Sequence, residues 1–336
     1  MKVAILAPVA WRTPPRHYGP WEQVASNIAE GLVKRGAAVT LFATGDSLTT
    51  GKLDAICEKG YEEDRTQDAK VLECLHISNL MEKAAQFDII HNNFDFLPLT
   101  YSGLIKTPII TTIHGFSSPQ IIPVYKKYNS RGHYVSISNS DRSPELDYLA
   151  TVYNGLNIED FKFNAEPDDY LLYFGRIHYD KGCAEAIEIA KQSNRKLLIA
   201  GIIQDEGYYK ERIEPQLNDK IKYVGEAGPE RRDHLLGKAF ALLHPINFNE
   251  PFGMSVAEAM LCGTPVIAFN KGSMPELIQD KQTGFLVNNI QEAVEAVGLI
   301  NNIDRQYCRA WAVSKFSSDK MVDDYFGLYK KILSGS

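Results

Sequence analysis

Short runs of consecutive apolar residues alternate along the chain with segments whose apolar positions recur every three to four residues. The runs at 3–7, 39–43, 88–92, 108–113, 134–137 and 150–153 predict strands in the first half, and those at 170–175, 196–200, 221–224, 239–244, 265–269 and 284–287 in the second. Helical spacing runs over 21–35, stopping at Gly36, a residue suited to the left-handed turn that ends a helix, and over about 68–86. In the second half it covers 181–192, 207–217, 229–238 and 252–262, and the tail at 305–333 reads as helical, with Tyr325, Leu328, Tyr329 and Ile332 on one face. Continuous apolar strands alternating with helices imply parallel sheets covered on both faces. The pattern occurs twice, with a polar, acidic break at about 159–169. The expectation is therefore an α/β chain of two doubly wound, Rossmann-like domains with a cleft between them: residues 1–160 together with the last helix at about 317–336, and residues 161–316.

The length of 336 residues suits two cores better than one. A net charge of −6, with neither half basic, argues against nucleic-acid binding and against strong attraction to an anionic membrane. No stretch has the roughly 18 apolar residues of a membrane span, and the first residues read as a buried strand rather than a secretion signal. Five cysteines, an odd number without C-x-x-C spacing, point away from zinc or a disulfide framework and towards a reducing cytoplasm.

The turn after the first strand, Pro8-Val9-Ala10-Trp11-Arg12-Thr13-Pro14-Pro15, lacks the glycines of a dinucleotide fingerprint. The second half offers another anion site. Gly175-Arg176-Ile177-His178-Tyr179-Asp180-Lys181-Gly182 follows a strand, where open α/β sheets bind ligands, and Arg176 and Lys181 together would neutralise a diphosphate. Two solvated surface cations would look the same. Downstream, Asn249-Glu250-Pro251-Phe252-Gly253-Met254-Ser255-Val256-Ala257-Glu258 holds two acids eight residues apart. A helix starting at Pro251 leaves the amides of Gly253, Met254 and Ser255 free for an anion. Glu258 would then lie roughly 12 Å along the helix from Glu250. Carboxylates suit vicinal hydroxyls, so the series fits sugar, diphosphate and ribose in turn: a nucleotide sugar. Equally, Glu250 is an acid of the kind a helix start attracts and Glu258 an ordinary helix-surface residue; spacing alone leaves both open.

Taken together, Glu250-Pro251-Phe252-Gly253 through Glu258-Ala259-Met260 to Gly263-Thr264-Pro265-Val266, Gly175-Arg176-Ile177 with Lys181-Gly182, Val152-Tyr153-Asn154-Gly155-Leu156-Asn157, and Gly272, Pro275-Glu276-Leu277-Ile278 with Thr283-Gly284-Phe285-Leu286-Val287 resemble the motifs of retaining glycosyltransferase family 4, of the GT-B fold. Weaker matches in the first half, Tyr18-Gly19-Pro20-Trp21-Glu22, Thr112-Ile113-His114-Gly115 and Ser136-Ile137-Ser138, extend the resemblance over nearly the whole chain. The resemblance implies that a sugar passes from a UDP- or GDP-linked donor to an acceptor hydroxyl with retention, in the biosynthesis of a glycan, glycolipid or glycoconjugate. By the same resemblance Arg176 and Lys181 bind the diphosphate, Glu250 the sugar and Glu258 the ribose, with Gly253, Met254 and Ser255 at the donor. His114 would lie near the transferred sugar, and Gly19 at the diphosphate or acceptor. Catalytic weight is expected on His114, Glu250, Arg176 and Lys181. No cofactor and no metal are expected, since fixed positive charge stabilises a departing diphosphate. Asp95 and the pair Asp168-Asp169 read as surface acids, and His91 as structural or acceptor-side.

The acceptor, whether glycan, lipid-linked or small molecule, is expected on the first domain. There the segment 121–128 mixes apolar, aromatic and basic residues and would touch a lipid-linked or glycan acceptor, or is an ordinary amphipathic segment packed on the core; peripheral membrane contact is also allowed. The chain departs from the family pattern at Pro20, which has no amide proton where many relatives carry a second glycine, and at Asn157, where aspartate is usual. The competing readings are a glycoside phosphorylase on the same fold and a non-catalytic sugar-nucleotide-binding subunit.

Overall fold

The computed structural model describes residues 1–16, 19–116 and 118–335. The chain forms two compact units. The first is Met1–Leu156 with Ser318–Ser336, and the second is Asn157–Ser317. Each is an α/β unit on one all-parallel sheet.

In the first unit the strands are β1 (Lys2–Leu6), β2 (Ala38–Phe42), β3 (Lys52–Asp54), β4 (Ile89–Asn92), β5 (Ile109–Ile113), β6 (Gly132–Ser136) and β7 (Tyr148–Thr151), in the order β3-β2-β1-β4-β5-β6-β7. Their continuous apolar runs follow from burial on both faces; Val3 to Leu6 are fully buried. The edge strand β3 escapes the sequence pattern because its three residues carry only one apolar side chain. The last strand lies two residues earlier than expected. On one face the helix Pro20–Lys34 packs against the terminal helix Ser318–Ser334 so closely that a Cβ on Gly31 would stand 2.5 Å from Val322. Arg35 then clips the two together through Asp323 at 2.7 Å and Asp319 at 3.3 Å. The expected helical tail is thus two helices, Arg305–Phe316 in the second unit and Ser318–Ser334 in the first, separated by an extended Ser317.

The second unit contains β8 (Tyr170–Phe174), β9 (Lys196–Ala200), β10 (Ile221–Gly225), β11 (Ala241–His244), β12 (Val266–Phe269) and β13 (Gly284–Val287), in the order β10-β9-β8-β11-β12-β13. The helices Cys183–Gln192, Pro229–Lys238, Met254–Leu261 and Ile290–Leu299 accompany them. The single helix expected over 207–217 is instead a short turn Glu206–Tyr208, a π turn Tyr209–Ile213 and a 3-10 turn Glu214–Gln216. Pro215 lacks the amide that would continue an α-helix there.

Each sheet reverses its direction of growth once, between β1 and β4 in the first unit and between β8 and β11 in the second. At such a point the loops leaving the carboxyl ends of neighbouring strands diverge and open a crevice. The candidate residues cluster at these two places. No helix among the described residues is long and apolar enough to cross a membrane.

Candidate functional site

At the crevice of the second unit the loop after β8 carries Arg176 and Lys181, and the loop after β11 carries Glu250. Backbone contacts bring the loops together. The Asn247 amide donates to the Asp180 carbonyl at 2.7 Å, and Gly182, at φ +73°, lies so near Pro245 that a Cβ would stand 1.9 Å from its carbonyl oxygen. Only glycine fits there. As a result Lys181 Nζ donates to Glu250 Oε2 at 2.5 Å, with both side chains mostly buried. The ammonium also lies over the Phe248 ring, 4.5 Å from its centroid. Arg176 lies apart from this pair, hydrogen bonded to Gln204 at 2.5 Å.

The helix expected to start at Pro251 begins later, at Met254, because Gly253 takes a left-handed φ of +92° and turns the chain before the helix. The Val256 amide bonds back to the Gly253 carbonyl at 3.0 Å, while the amides of Gly253, Met254 and Ser255 have no partner among the described residues. Those three donors survive the shift in the helix start. Glu250 keeps company with them; a Cβ on Gly253 would be 3.7 Å from Glu250 Cγ. Gly272 shapes the other side, where a Cβ would be 2.4 Å from the Glu250 amide nitrogen.

Glu258 is not an open helix-surface acid. It is buried, and its Oε1 accepts from Arg232 Nη1 at 3.1 Å. Burial pushes its carboxyl up from the usual range, and Arg232 opposes that. The Arg232 guanidinium stacks on Phe161, 4.6 Å from the ring centroid. Sequence reasoning missed Arg232, which is indistinguishable by pattern from its neighbour Arg231. It also missed His244, the last residue of β11. His244 is buried, its Nε2 has no hydrogen-bond partner, and that atom lies 3.9 Å from Glu250 Oε2.

At the crevice of the first unit stand Gly19, Asn93 and His114, on the loops after β1, β4 and β5. Tyr18, quoted with the Gly19 motif, lies outside the described residues. Gly19, at φ +151°, precedes the helix Pro20–Lys34 and accepts from the Gln23 amide at 2.9 Å. Pro20 occupies the first helical position, where a missing amide proton costs nothing. The His114 ring stacks on Trp21 at 5.4 Å, and its Nε2 meets Asn93 Oδ1 at 3.1 Å. Burial pushes the imidazole down to about 3, so it is neutral near pH 7. Beside it Glu22 is buried and pushed up to about 7, chiefly by desolvation.

His91 is a packing residue: its two nitrogens meet Tyr329 Oη at 2.6 Å and Thr112 Oγ1 at 2.7 Å. Asp95, expected at the surface, is instead largely shielded. It accepts from Tyr125 Oη at 2.5 Å, and burial raises it to about 6. Asp168 and Asp169 are exposed. In the segment 121–128, Tyr125 is fully buried and Lys126 is paired with Glu145 at 2.7 Å.

Residues 157–310 match the family model of glycosyl transferases group 1. The chain is 25% identical to an uncharacterized glycosyltransferase of Methanocaldococcus jannaschii, over 98% of both chains. Its fold is similar to that of a crystallised glycosyltransferase involved in avilamycin A biosynthesis, with a TM-score of 0.73, 21% identity and coverage of 100% of this chain and 99% of that one. It is similar also to Anabaena HepE, crystallised with UDP and glucose, with a TM-score of 0.74, 19% identity and coverage of 98% and 99%. The family model thus covers nearly all of the second unit, and the fold of the two units matches that of solved GT-B structures.

Proposed function

We propose that the chain is a retaining, family 4 glycosyltransferase that moves a sugar from a nucleoside diphosphate to an acceptor hydroxyl without a metal. The observation that carries this reading is the Lys181–Glu250 pair, set where β8 and β11 diverge and next to three unpartnered amides. Lys181, Arg176 and the amides of Gly253, Met254 and Ser255 take the diphosphate. Glu250 takes the sugar hydroxyls, and Glu258, held by Arg232, offers its remaining oxygen to the ribose. His114 in the first unit is a neutral hydrogen-bonding group for the sugar, and Gly19 serves the diphosphate or the acceptor. HepE is described with UDP and glucose, which favours a UDP-linked donor.

In the reaction the bond between the anomeric carbon and the diphosphate oxygen breaks, and a bond to the acceptor oxygen forms on the same face. The acceptor proton passes to the departing phosphate. Charge accumulates on that phosphate, so preorganised cations and amides are the main source of rate. The acceptor is a glycan, a lipid-linked saccharide or a small molecule bound by the first unit, and the reaction belongs in the cytoplasm.

The test is calorimetry with UDP-, GDP- and ADP-sugars on the wild type and on Glu250→Gln, followed by NMR of the product's anomeric proton. Saturable binding of one donor, weakened in the variant, and a product with the donor's anomeric configuration are expected. A well-folded protein that binds none of these donors, or that inverts the anomeric centre, contradicts the proposal.

A further inference from the structure

The charged cluster around Glu250 contains one group that the proposed reaction leaves unused. His244 closes β11, pairs across the sheet with Ala268, and buries its ring behind the loop that carries Glu250. A buried imidazole nitrogen normally has a partner, because leaving a polar group dry costs free energy. Here Nε2 has none, yet it stops 3.9 Å from Glu250 Oε2, just outside hydrogen-bond range. That same oxygen is already engaged by Lys181 at 2.5 Å. The arrangement is a carboxylate with one partner in contact and a second waiting.

We infer that His244 is a positioning residue for the sugar end of the donor site: when Lys181 leaves Glu250 for the diphosphate, His244 Nε2–H moves into hydrogen-bond contact with Glu250 and keeps its carboxylate aimed at the sugar. The inference rests on the donor-site reading above. Three features of the structure support it. The Nε2–H tautomer is the one a facing carboxylate selects, since a lone pair there would be repelled. Burial lowers the imidazole to about 4, and Lys181 adds to this while Glu250 opposes it, so the ring is neutral and donates without adding charge. Finally, a diphosphate draws the Lys181 charge away from Glu250 Oε2, the oxygen that His244 Nε2 already faces. Without a second donor, Glu250 would lose its orientation at the moment the sugar needs it.

This makes the sugar and the nucleotide respond differently to substitution. His244→Phe fills the same space without the donor, while His244→Gln keeps an N–H at a similar reach. Binding of UDP and of UDP-glucose, and of GDP and GDP-mannose, is measured by calorimetry on the wild type and both variants. For the pair that the wild type binds, His244→Phe is expected to bind the free nucleoside diphosphate as the wild type does. The same variant should bind the nucleotide sugar about 10- to 100-fold more weakly, the scale of one hydrogen bond to a charged group. His244→Gln is expected to recover most of that loss. Equal loss for nucleotide and nucleotide sugar, no loss in His244→Phe, or a His244→Gln as weak as His244→Phe each overturns the inference. A readout on the unaltered protein runs beside it: with histidine labelled by 15N, the His244 Nε2–H resonance shifts downfield on adding the nucleotide sugar, and a resonance that stays put overturns the inference. Failure of the wild type to bind any of the four probes is a separate result, which brings down the donor-site reading and this inference with it.

Discussion

The two units repeat one architectural device with opposite electrostatics. Each sheet grows outward from a central strand in both directions, and each places its candidate residues on the loops that diverge there. In the second unit that crevice is ionic: Lys181 against Glu250 and Arg232 against Glu258, with three amides open at a helix start. In the first unit it is largely neutral below pH 7. There Trp21 stacks on an uncharged His114, Asn93 bonds to it, and Glu22 is buried with its carboxyl raised to about 7. The contrast shows that the parallel fold supplies the location and the loops supply the chemistry. A crevice built of paired charges suits a ligand that arrives with its own charge and can exchange partners. A crevice built of neutral, desolvated polar groups suits hydroxyls.

The largest effect expected from this contrast is acid lability of the first unit. Buried His76, His91 and His114 are held neutral, at about 4, 3 and 3, far below the ordinary value of 6.5. The unfolded chain binds protons that the folded unit refuses, so their stabilisation is complete above pH 6.5 and is lost as pH falls towards 3. Each uncompensated histidine costs about 1.4 kcal/mol per pH unit in that window. Glu22 and Asp95 act in the other direction, because carboxyls raised to about 7 and about 6 take up a proton first in the folded state. They offset two of the histidines down to about pH 4; below that His91 and His114 act together, while His76, at about 4, is then protonated in the folded state as well. The second unit has one such histidine among the described residues, His244 at about 4. Hydrogen exchange followed from pH 7 to 3 should show the first unit opening before the second, with the difference arising below pH 4, where His91 and His114 still act and His244 no longer does; the reverse order breaks the comparison.

Next in size is Lys181→Ala, expected to lower turnover by about 100- to 1,000-fold, the cost of removing one preorganised charge from a transition state. Gly182→Ala is expected to destabilise the second unit by about 2–4 kcal/mol, because the position is left-handed and a Cβ would collide with the Pro245 carbonyl. A fall in the melting temperature confined to that unit is the measurement. The smallest effect is Tyr329→Phe, which removes the hydroxyl bonded to His91 and should cost the first unit about 1 kcal/mol without touching donor binding.

Long apolar runs such as β1 and β12 announce themselves in the sequence, because burial on both faces leaves no polar positions to confuse the period. Arg176 and Lys181, directly after an apolar run, are legible as lying beyond a strand end, and Glu250 as standing at a helix start. What stayed hidden depends on pairings over long sequence distances. Nothing in a helix at 229–238 says that Arg232 reaches Glu258, and nothing in a buried strand says that its last residue, His244, faces Glu250. The helix start shifted from Pro251 to Met254 because the left-handed Gly253 decides where the helix begins. Asp95 is shielded by Tyr125, thirty residues away, and so could not be told from a surface acid.

The measurement that tests the central claim most directly is hydrogen–deuterium exchange with and without a saturating nucleotide sugar, UDP-glucose first. The account predicts that in the second unit slowed exchange concentrates in the loops 175–182 and 244–255, with the amides of Gly253, Met254 and Ser255 among the most protected. Saturable binding that leaves those two loops unchanged and protects another part of that unit would contradict it.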